Sequence, residues 1–251
     1  MNDKSGARGS LTWRSTSCSD VGAVRKVNED SMLDRPERGL WAVADGMGGH
    51  SAGDRASQLV VARLDALTMP DDLVAAINLV DDVLVRTNTE LRELAETEHK
   101  RTIGCTAAAM IARGKHFACL WAGDSRVYRH RPGGDFSQLT QDHAMVEHMV
   151  TQGILSREEA ENHPQANLIT RAVGASDVLF VDVELFEAQV GDILMICSDG
   201  LYKEVEFDEI GAILADDSVD DKAQALVDLA LGRRARDNTT VVVVHIEEAA
   251  Q

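Results

Sequence analysis

The chain has 251 residues, 44% of them hydrophobic, and a formal net charge of −17 at pH 7. This length and apolar content allow one large domain or two small ones with a full core. The negative charge repels nucleic-acid phosphates and anionic lipid headgroups, so we expect neither nucleic acid nor a membrane as a partner.

The N-terminal part alternates short strands with two long helices. Residues 1–11 are polar, lack the apolar stretch of a secretory signal, and are expected to be flexible. Apolar and alternating runs predict strands over 11–18, 30–34 and 39–44. Apolar positions at three-and-four spacing predict a helix over 52–67 and a second over 71–98, after Pro70.

The middle of the chain has the pattern of an antiparallel sheet followed by a flap. Three strand-like runs separated by glycine-containing turns cover 105–114, 115–124 and 125–139, and their close spacing indicates hairpins. A mostly polar helical segment follows from His143 to about His163. Its few apolar positions indicate a flap, about residues 145–170, and not a core element.

The C-terminal third returns to strands and helices. The predicted elements are strands at 178–188, 192–199 and 239–248 and helices at 206–215 and 219–231. Strands outnumber those of an alternating βαβ pattern and come in hairpin clusters, which favours an α+β architecture of antiparallel sheets covered by helices. No repeat or long linker divides the sequence, so we predict one domain over residues 12–248.

The cysteines indicate a reducing compartment. Cys18, Cys105, Cys119 and Cys197 lie far apart, without a CxxC pair, in apolar or strand-like surroundings. This is typical of reduced core thiols and not of a zinc site or a disulfide framework. No run approaches the roughly 20 apolar residues of a membrane span. We therefore expect a cytoplasmic protein, and a monomer.

Four aspartates stand at the ends of apolar runs: Asp45, Asp124, Asp199 and Asp237. A single Asp-Gly at a strand end is most often only a turn, but four such positions suggest carboxylates that meet at one edge of the sheets. Like charges in a cluster repel each other unless cations neutralise them. Oxygen ligands without histidine or cysteine favour Mg²⁺ or Mn²⁺ over zinc, and the glycine after Asp45 would let a backbone carbonyl reach an ion.

A phosphate group would suit such a site. Two divalent ions about 4 Å apart can lower the pKa of a bridging water and direct it at phosphorus. In the segment DVGAVRKVNEDSML, Arg25 offers a planar guanidinium for bidentate phosphate binding. Glu29 and Asp30 beside it are able to hold metal-bound water. An arginine in a charged loop is usually solvated surface, so this assignment depends on the aspartates.

Seven motifs in order resemble those of a known family. They are VRKVNEDS (24–31), VADGMGGH (43–50), AGDSRVY (122–128), LTQDH (139–143), NLITRAVG (167–174), CSDGL (197–201) and RDNTTVVVV (236–244). Together they closely resemble the bacterial metal-dependent serine/threonine protein phosphatases (PPM family, type 2C) over about residues 12–246. One motif such as SDG would be weak, but seven in the right order make chance agreement very improbable.

The resemblance implies a four-layer α-β-β-α sandwich, with two central antiparallel sheets flanked by helices, plus the flap. It implies that Asp45 bridges two metal ions and that Gly46 gives its carbonyl to one of them. Asp199 and Asp237 match the remaining ligands of the first ion. The implied cofactors are Mn²⁺ or Mg²⁺.

The same resemblance assigns the remaining site residues. Glu29, with Asp30 beside it, matches the acidic support of the second ion through water. Asp124 matches the aspartate that, with Asp199, holds a third, weaker ion in bacterial members. Arg25 matches the phosphate-binding arginine.

The general acid for the leaving alkoxide stays open. Eukaryotic members place a histidine directly after Asp-Gly, where this chain has Met47, as in other bacterial members. His50 is near in sequence, but a histidine in a glycine-rich loop is more often a local hydrogen-bonding residue. Metal-bound water is an equally good donor, and we expect His143 to order the base of the flap.

The main hypothesis is hydrolysis of phosphoserine and phosphothreonine on proteins by direct attack of a metal-bridged hydroxide, opposing a separate bacterial Ser/Thr kinase. The chain has no Cys-x5-Arg signature and no histidine nucleophile context, which favours a route without a phosphoenzyme. One alternative is a non-catalytic phosphoprotein-binding module on the same fold, against which the full set of acidic residues argues. Another is a regulatory phosphatase dedicated to one anti-sigma-type antagonist.

Overall fold

The computed structural model describes residues 11–48, 52–99, 102–161 and 163–249. Its strands are β1 (Leu11–Asp20), β2 (Asp30–Arg35), β3 (Leu40–Met47), β4 (Gly104–Cys105), β5 (Ala107–Arg113), β6 (His116–Ala122), β7 (Arg126–Arg131), β8 (Asp135–Gln138), β9 (Asp182–Glu187), β10 (Ile193–Cys197) and β11 (Thr239–Glu248). Its α-helices are α1 (Gly53–Asp65), α2 (Leu73–Thr97), α3 (Met145–Thr151), α4 (Arg157–Glu161), α5 (Asp199–Tyr202), α6 (Phe207–Ala215) and α7 (Lys222–Gly232).

Two antiparallel sheets form the centre of the fold. One has the strand order β1-β11-β10-β7-β8, and the other has the order β2-β3-β5-β6-β9 with β4 paired to β3. The β-branched run of β11 suits its central place between β1 and β10, because such side chains pack well on a pleated surface. The predicted α+β class is confirmed by this arrangement.

Three apolar clusters separate four layers. Between the sheets, Trp41 and Phe117 pack with Leu194 and Val242. A second cluster joins α1 and α2 to the outer face of the β2–β9 sheet, and a third joins α5, α6 and α7 to the outer face of the β1–β8 sheet. The order of layers is therefore helix, sheet, sheet, helix, as the resemblance implied.

Aspartate side chains cap the starts of α2 and α7. Asp72 accepts a hydrogen bond from the Ala75 N–H at 2.8 Å and starts α2, and Asp221 does the same for α7 through the Gln224 N–H at 3.1 Å. The sequence predicted that the last helix begins at residue 219. In the structure it begins at Lys222, directly after its capping aspartate. None of the helices in the described ranges is long and apolar enough to cross a membrane.

The segment predicted as a flap carries two short helices, α3 and α4, joined by exposed turns. It leaves and returns to the body at one point, where Ala144 forms an antiparallel bridge with Ile169. The Met145 N–H donates to the Leu168 carbonyl at 2.9 Å, and the Thr170 N–H donates to the His143 carbonyl at 2.7 Å. Helix α3 contributes no buried side chain, whereas Ala160 of α4 is buried.

Candidate metal centre

The ends of strands from both sheets meet at one edge of the fold. Asp30 and Asp45 are direct partners in the β2–β3 register, which places their carboxylates on one side of that sheet. Asp199 starts α5 two residues after β10, and Asp237 lies two residues before β11. Asp124 follows β6. Folding therefore gathers five carboxylates that are remote from each other in sequence.

Hydrogen bonds join the two sheets at this edge. The Glu29 N–H donates to Asn238 Oδ1 at 2.8 Å, and the Ser198 hydroxyl donates to Asp30 Oδ2 at 2.7 Å. On the other side, the Asp45 N–H donates to Thr106 Oγ1 at 3.0 Å. These bonds position the carboxylates through short polar side chains that the sequence analysis did not single out. Ser198 and Asn238 lie within the seven motifs, whereas Thr106 lies outside them.

The carboxylates repel each other strongly. Burial raises the pKa of Asp45 well above its ordinary value, and the charges of Asp30, Asp199, Asp124 and Asp237 raise it further. Burial also raises the pKa of Asp30 to about 7, with the charge of Asp199 adding to the shift and the hydrogen bond from Ser198 opposing it. For Asp124, burial and then the charge of Asp199 raise the pKa to about 7.

Three carboxylate oxygens are buried without a hydrogen-bond partner: Oδ1 of Asp30, Asp124 and Asp199. These residues are only 7%, 5% and 8% exposed, so unpaired charge there is costly. Hard divalent cations such as Mg²⁺ and Mn²⁺ take oxygen ligands of this type. The donor set therefore fits divalent cations.

The five carboxylates lie near each other, but they do not have the geometry of a set of metal ligands. In the described part of the chain, no three His, Cys, Asp or Glu side chains already stand in a metal-holding geometry. Basic side chains of the protein pair with two of these carboxylates. Asp199 Oδ2 pairs with Lys203 Nζ, and Asp237 Oδ2 pairs with Arg25 Nη2 at 2.7 Å.

Gly46 lies where backbones approach too closely for a side chain. A Cβ at this position would lie 2.5 Å from the Glu29 carbonyl oxygen and closer still to that of Gly53. The Gly46 N–H donates to the same Glu29 carbonyl at 3.1 Å. Glycine therefore allows β3, α1 and the Glu29 loop to converge beside Asp45.

We expect Gly46→Ala to lower the free energy of unfolding by about 2–3 kcal/mol, because the added methyl group must displace backbone. Chemical denaturation followed by circular dichroism measures this change. Gly232→Ala is the matched control, since a Cβ there meets nothing within 4 Å. Equal stability of the two variants would contradict the close packing at Gly46.

Arg25 and two of the five carboxylates, Asp124 and Asp237, line a large cleft under the flap. The cleft has a volume of about 1200 Å³, and its lining includes Arg25, Asp124, Lys203 and Asp237 together with Glu147 of the flap. Arg25 is half-exposed, so its guanidinium is accessible from the cleft. A second cavity of about 600 Å³, near Trp13, is lined by none of the candidate residues.

A buried network connects the base of the flap to Asp124. Arg126 pairs with Asp142 at 2.7 Å, and its guanidinium carbon lies 3.5 Å from the centre of the Tyr202 ring. The Tyr202 hydroxyl donates to the Asp124 carbonyl at 2.9 Å. The motifs AGDSRVY and LTQDH contain Arg126 and Asp142, but only the fold shows that they touch.

His143 belongs to the same region, at the base of the flap. Its Nδ1 accepts from the Gly123 N–H at 3.1 Å, and its ring stacks on Trp121. Its Nε2 lies 3.1 Å from an oxygen of Asp182. These contacts agree with a role in ordering the flap base. His50, the histidine weighed as a proton donor, lies outside the described residues.

Two stacked antiparallel sheets, with carboxylates gathered at one edge beside an arginine, form the arrangement that the resemblance implied. The chain belongs to the protein phosphatase 2C family, because the sequence model of that family matches residues 17–229. The resemblance drawn from the seven motifs is confirmed.

Three relatives illustrate the similarity. The serine/threonine protein phosphatase PstP of Mycobacterium tuberculosis is 38% identical over 245 residues, which are 96% of this chain and 46% of PstP. The chain thus spans about half the length of that relative. The structure of PppA from Pseudomonas aeruginosa has 40% sequence identity to this chain and a TM-score of 0.87. The match covers 94% of this chain and 98% of the PppA chain.

The third relative was solved with metal. The catalytic domain of a PstP in complex with two manganese ions has 34% sequence identity to this chain and a TM-score of 0.82. The match covers 95% of this chain and 100% of the PstP catalytic domain. These structures confirm the four-layer fold.

Proposed function

We propose that this chain hydrolyses phosphoserine and phosphothreonine on proteins in a reaction that requires divalent cations. The observation that carries the proposal is the meeting of five carboxylates from both sheets, three of them with unpaired buried oxygens. Two of the five, Asp124 and Asp237, line one cleft together with Arg25. The names of the relatives support a protein substrate, and the manganese complex of PstP supports dependence on metal.

We assign the cation-holding residues as follows. Asp45, the Gly46 carbonyl, Asp199 and Asp237 would hold one ion, and Asp45 with Glu29 and Asp30 would support the second. When bound, Mn²⁺ or Mg²⁺ would act as a Lewis acid and supply a water of lowered pKa as the nucleophile. The resemblance adds a third, weaker ion at Asp124 and Asp199.

Arg25 would bind and orient the phosphate. Its guanidinium is planar and permanently charged, and it matches the oxygens of a phosphate bidentately. In the present geometry it is held by Asp237 at 2.7 Å. With Asp237 engaged by a cation, Arg25 would be free to bind an anion in the cleft.

The cysteines support direct attack by water. Burial raises the pKa of Cys105, Cys119 and Cys197, so these thiols stay protonated and inert. The cleft lining described above contains no cysteine. A covalent phosphocysteine intermediate therefore has no nucleophile at this site.

The test is hydrolysis of a phosphothreonine peptide by the purified chain with Mn²⁺ or Mg²⁺. We expect release of phosphate that stops when EDTA is added and resumes when Mn²⁺ is restored in excess. Binding of the peptide without any release of phosphate would contradict the proposal and favour a phosphoprotein-binding module.

Substitution of Arg25 by alanine is expected to raise KM for the phosphopeptide by roughly 10- to 100-fold, the equivalent of one charge-assisted interaction, with a smaller effect on kcat. Steady-state kinetics at saturating Mn²⁺ measure both constants. Arg63→Ala serves as the control, because Arg63 pairs with Glu90 on the outer helices. An unchanged KM in Arg25→Ala would contradict the phosphate-binding assignment.

We also propose the setting in which the chain works. It would act as one catalytic domain over residues 12–248, with a flap at about 145–170, and as a monomer that opposes a separate Ser/Thr protein kinase. The four cysteines are free in the structure, which supports a reducing compartment such as the cytoplasm.

A further inference from the structure

Lys203 places a positive charge inside the acidic cluster. It lies one helical turn after Asp199, and its Nζ pairs with Asp199 Oδ2. Its side chain is only 34% exposed, and its charge also acts on Asp124 and Asp45. Lysine is a compact point charge on a flexible stem, so it can take a position that a small cation would occupy.

The turn that carries Lys203 is tied to the backbone of both aspartates at this end of the cluster. The Lys203 N–H donates to the Asp199 carbonyl at 3.0 Å. The neighbouring Tyr202 hydroxyl donates to the Asp124 carbonyl at 2.9 Å, which links Asp124 to the same turn. The ammonium is therefore held beside Asp199 and near Asp124 by short covalent and hydrogen-bonded connections.

Arg25 at the other end of the cluster differs in this respect. It pairs with Asp237 across 212 positions of sequence and is half-exposed. A phosphate or a cation can separate that pair by moving one long side chain into solvent. Lys203 is tethered through four residues, so its effective concentration at Asp199 is high and an external ion must compete with it.

We propose that the Lys203 ammonium is a built-in cation at the Asp124–Asp199 end of the cluster, so that this chain binds two divalent ions and not a third. The inference rests on the proposed function, because it assumes that two ions are held by the other carboxylates together with Asp199 Oδ1, the oxygen that Lys203 does not occupy. It replaces the third, weaker ion that the resemblance implied for Asp124 and Asp199. A divalent ion placed there would meet a like charge as well as an occupied oxygen.

The number of bound ions tests the proposal directly. Equilibrium dialysis of the full chain against Mn²⁺, with free Mn²⁺ read by electron paramagnetic resonance, is expected to saturate at about two ions per chain. Lys203→Gln removes the charge, and this variant is expected to bind one additional Mn²⁺ ion with lower affinity. Lys203→Arg retains the charge and should not bind the additional ion. Lys115→Gln is the matched control, since Lys115 pairs with Glu187 at the opposite end of β6 from Asp124.

A second readout uses no bound metal. In EDTA, Lys203→Gln should lower the midpoint of thermal unfolding more than Lys115→Gln does, because it leaves the carboxylates without their internal cation. In the Lys203→Gln background, adding Asp124→Asn should remove the additional Mn²⁺ step.

Three results would overturn the proposal. Saturation of the unmodified chain at three ions would do so without any variant, and so would a folded Lys203→Gln that binds no additional ion. A chain that binds no Mn²⁺ contradicts both the proposed function and this inference. The chain could also bind two Mn²⁺ ions, and a third in Lys203→Gln, without releasing phosphate from the peptide. That result would support the role of Lys203 and contradict only the proposed hydrolysis.

Discussion

Replacing Asp237 by asparagine is expected to lower kcat/KM for Mn²⁺-dependent hydrolysis of a phosphothreonine peptide by at least about 10²–10³-fold. Asparagine keeps the shape of the side chain but loses the charge that would neutralise a cation at the junction of both sheets. The same change leaves Arg25 without its partner at 2.7 Å. Both the cation and the phosphate-binding group would therefore be affected.

The controls separate catalysis from folding. Asp228→Asn changes an exposed aspartate of α7 and should leave the rate unchanged. In EDTA, Asp237→Asn should unfold at the same temperature as the unmodified chain or higher, because one charge has left a self-repelling cluster. Full turnover by Asp237→Asn at saturating Mn²⁺ would refute the assignment of this residue.

The sequence predicted the acidic edge because each aspartate marks the end of an apolar run. Asp45 after LWAVA and Asp199 after ILMICS are local signals, and antiparallel sheets bring strand ends together. Whether these ends face each other depends on registers such as Asp30 opposite Asp45, which no local pattern specifies. Convergence was therefore a hypothesis until the two sheets were seen to stack.

Contacts between distant segments account for what the sequence did not predict. Lys203 follows Asp199 at the i,i+4 spacing that pairs charges on a helix, so that signal was present, but its approach to Asp124 was not. The strand predicted over 178–188 begins only at Asp182, because Val178 and Phe180 stay exposed and have no strand to pair with. An apolar pattern in the sequence indicates that a segment is buried, but the surrounding fold determines whether its side chains are in fact buried.

The metal-free protein is expected to lose stability as the pH rises from about 4 to about 7. Asp30 and Asp124 have pKa values of about 7 in the folded chain, against an ordinary value of about 3.9 in an unfolded one. Between these values the folded state binds protons that the unfolded state has released, so the free energy of unfolding falls with increasing pH. Thermal unfolding in EDTA across pH 4.5–8 measures this slope.

Divalent cations should reverse the loss, because they replace the protons that these carboxylates release. At pH 8, a Mn²⁺ concentration of about 100 times the dissociation constant should raise the midpoint of thermal unfolding by at least about 5 °C. At pH 5 the same Mn²⁺ concentration should raise it less, because protons compete for the carboxylates. Asp65→Asn is the control for the slope in EDTA. Its pairing with Arg35 lowers the pKa of Asp65, so its contribution is constant above pH 4.5. A Mn²⁺ gain that is equal at pH 5 and pH 8 would show that the buried carboxylates do not bind the cations, and the site would have to be sought elsewhere.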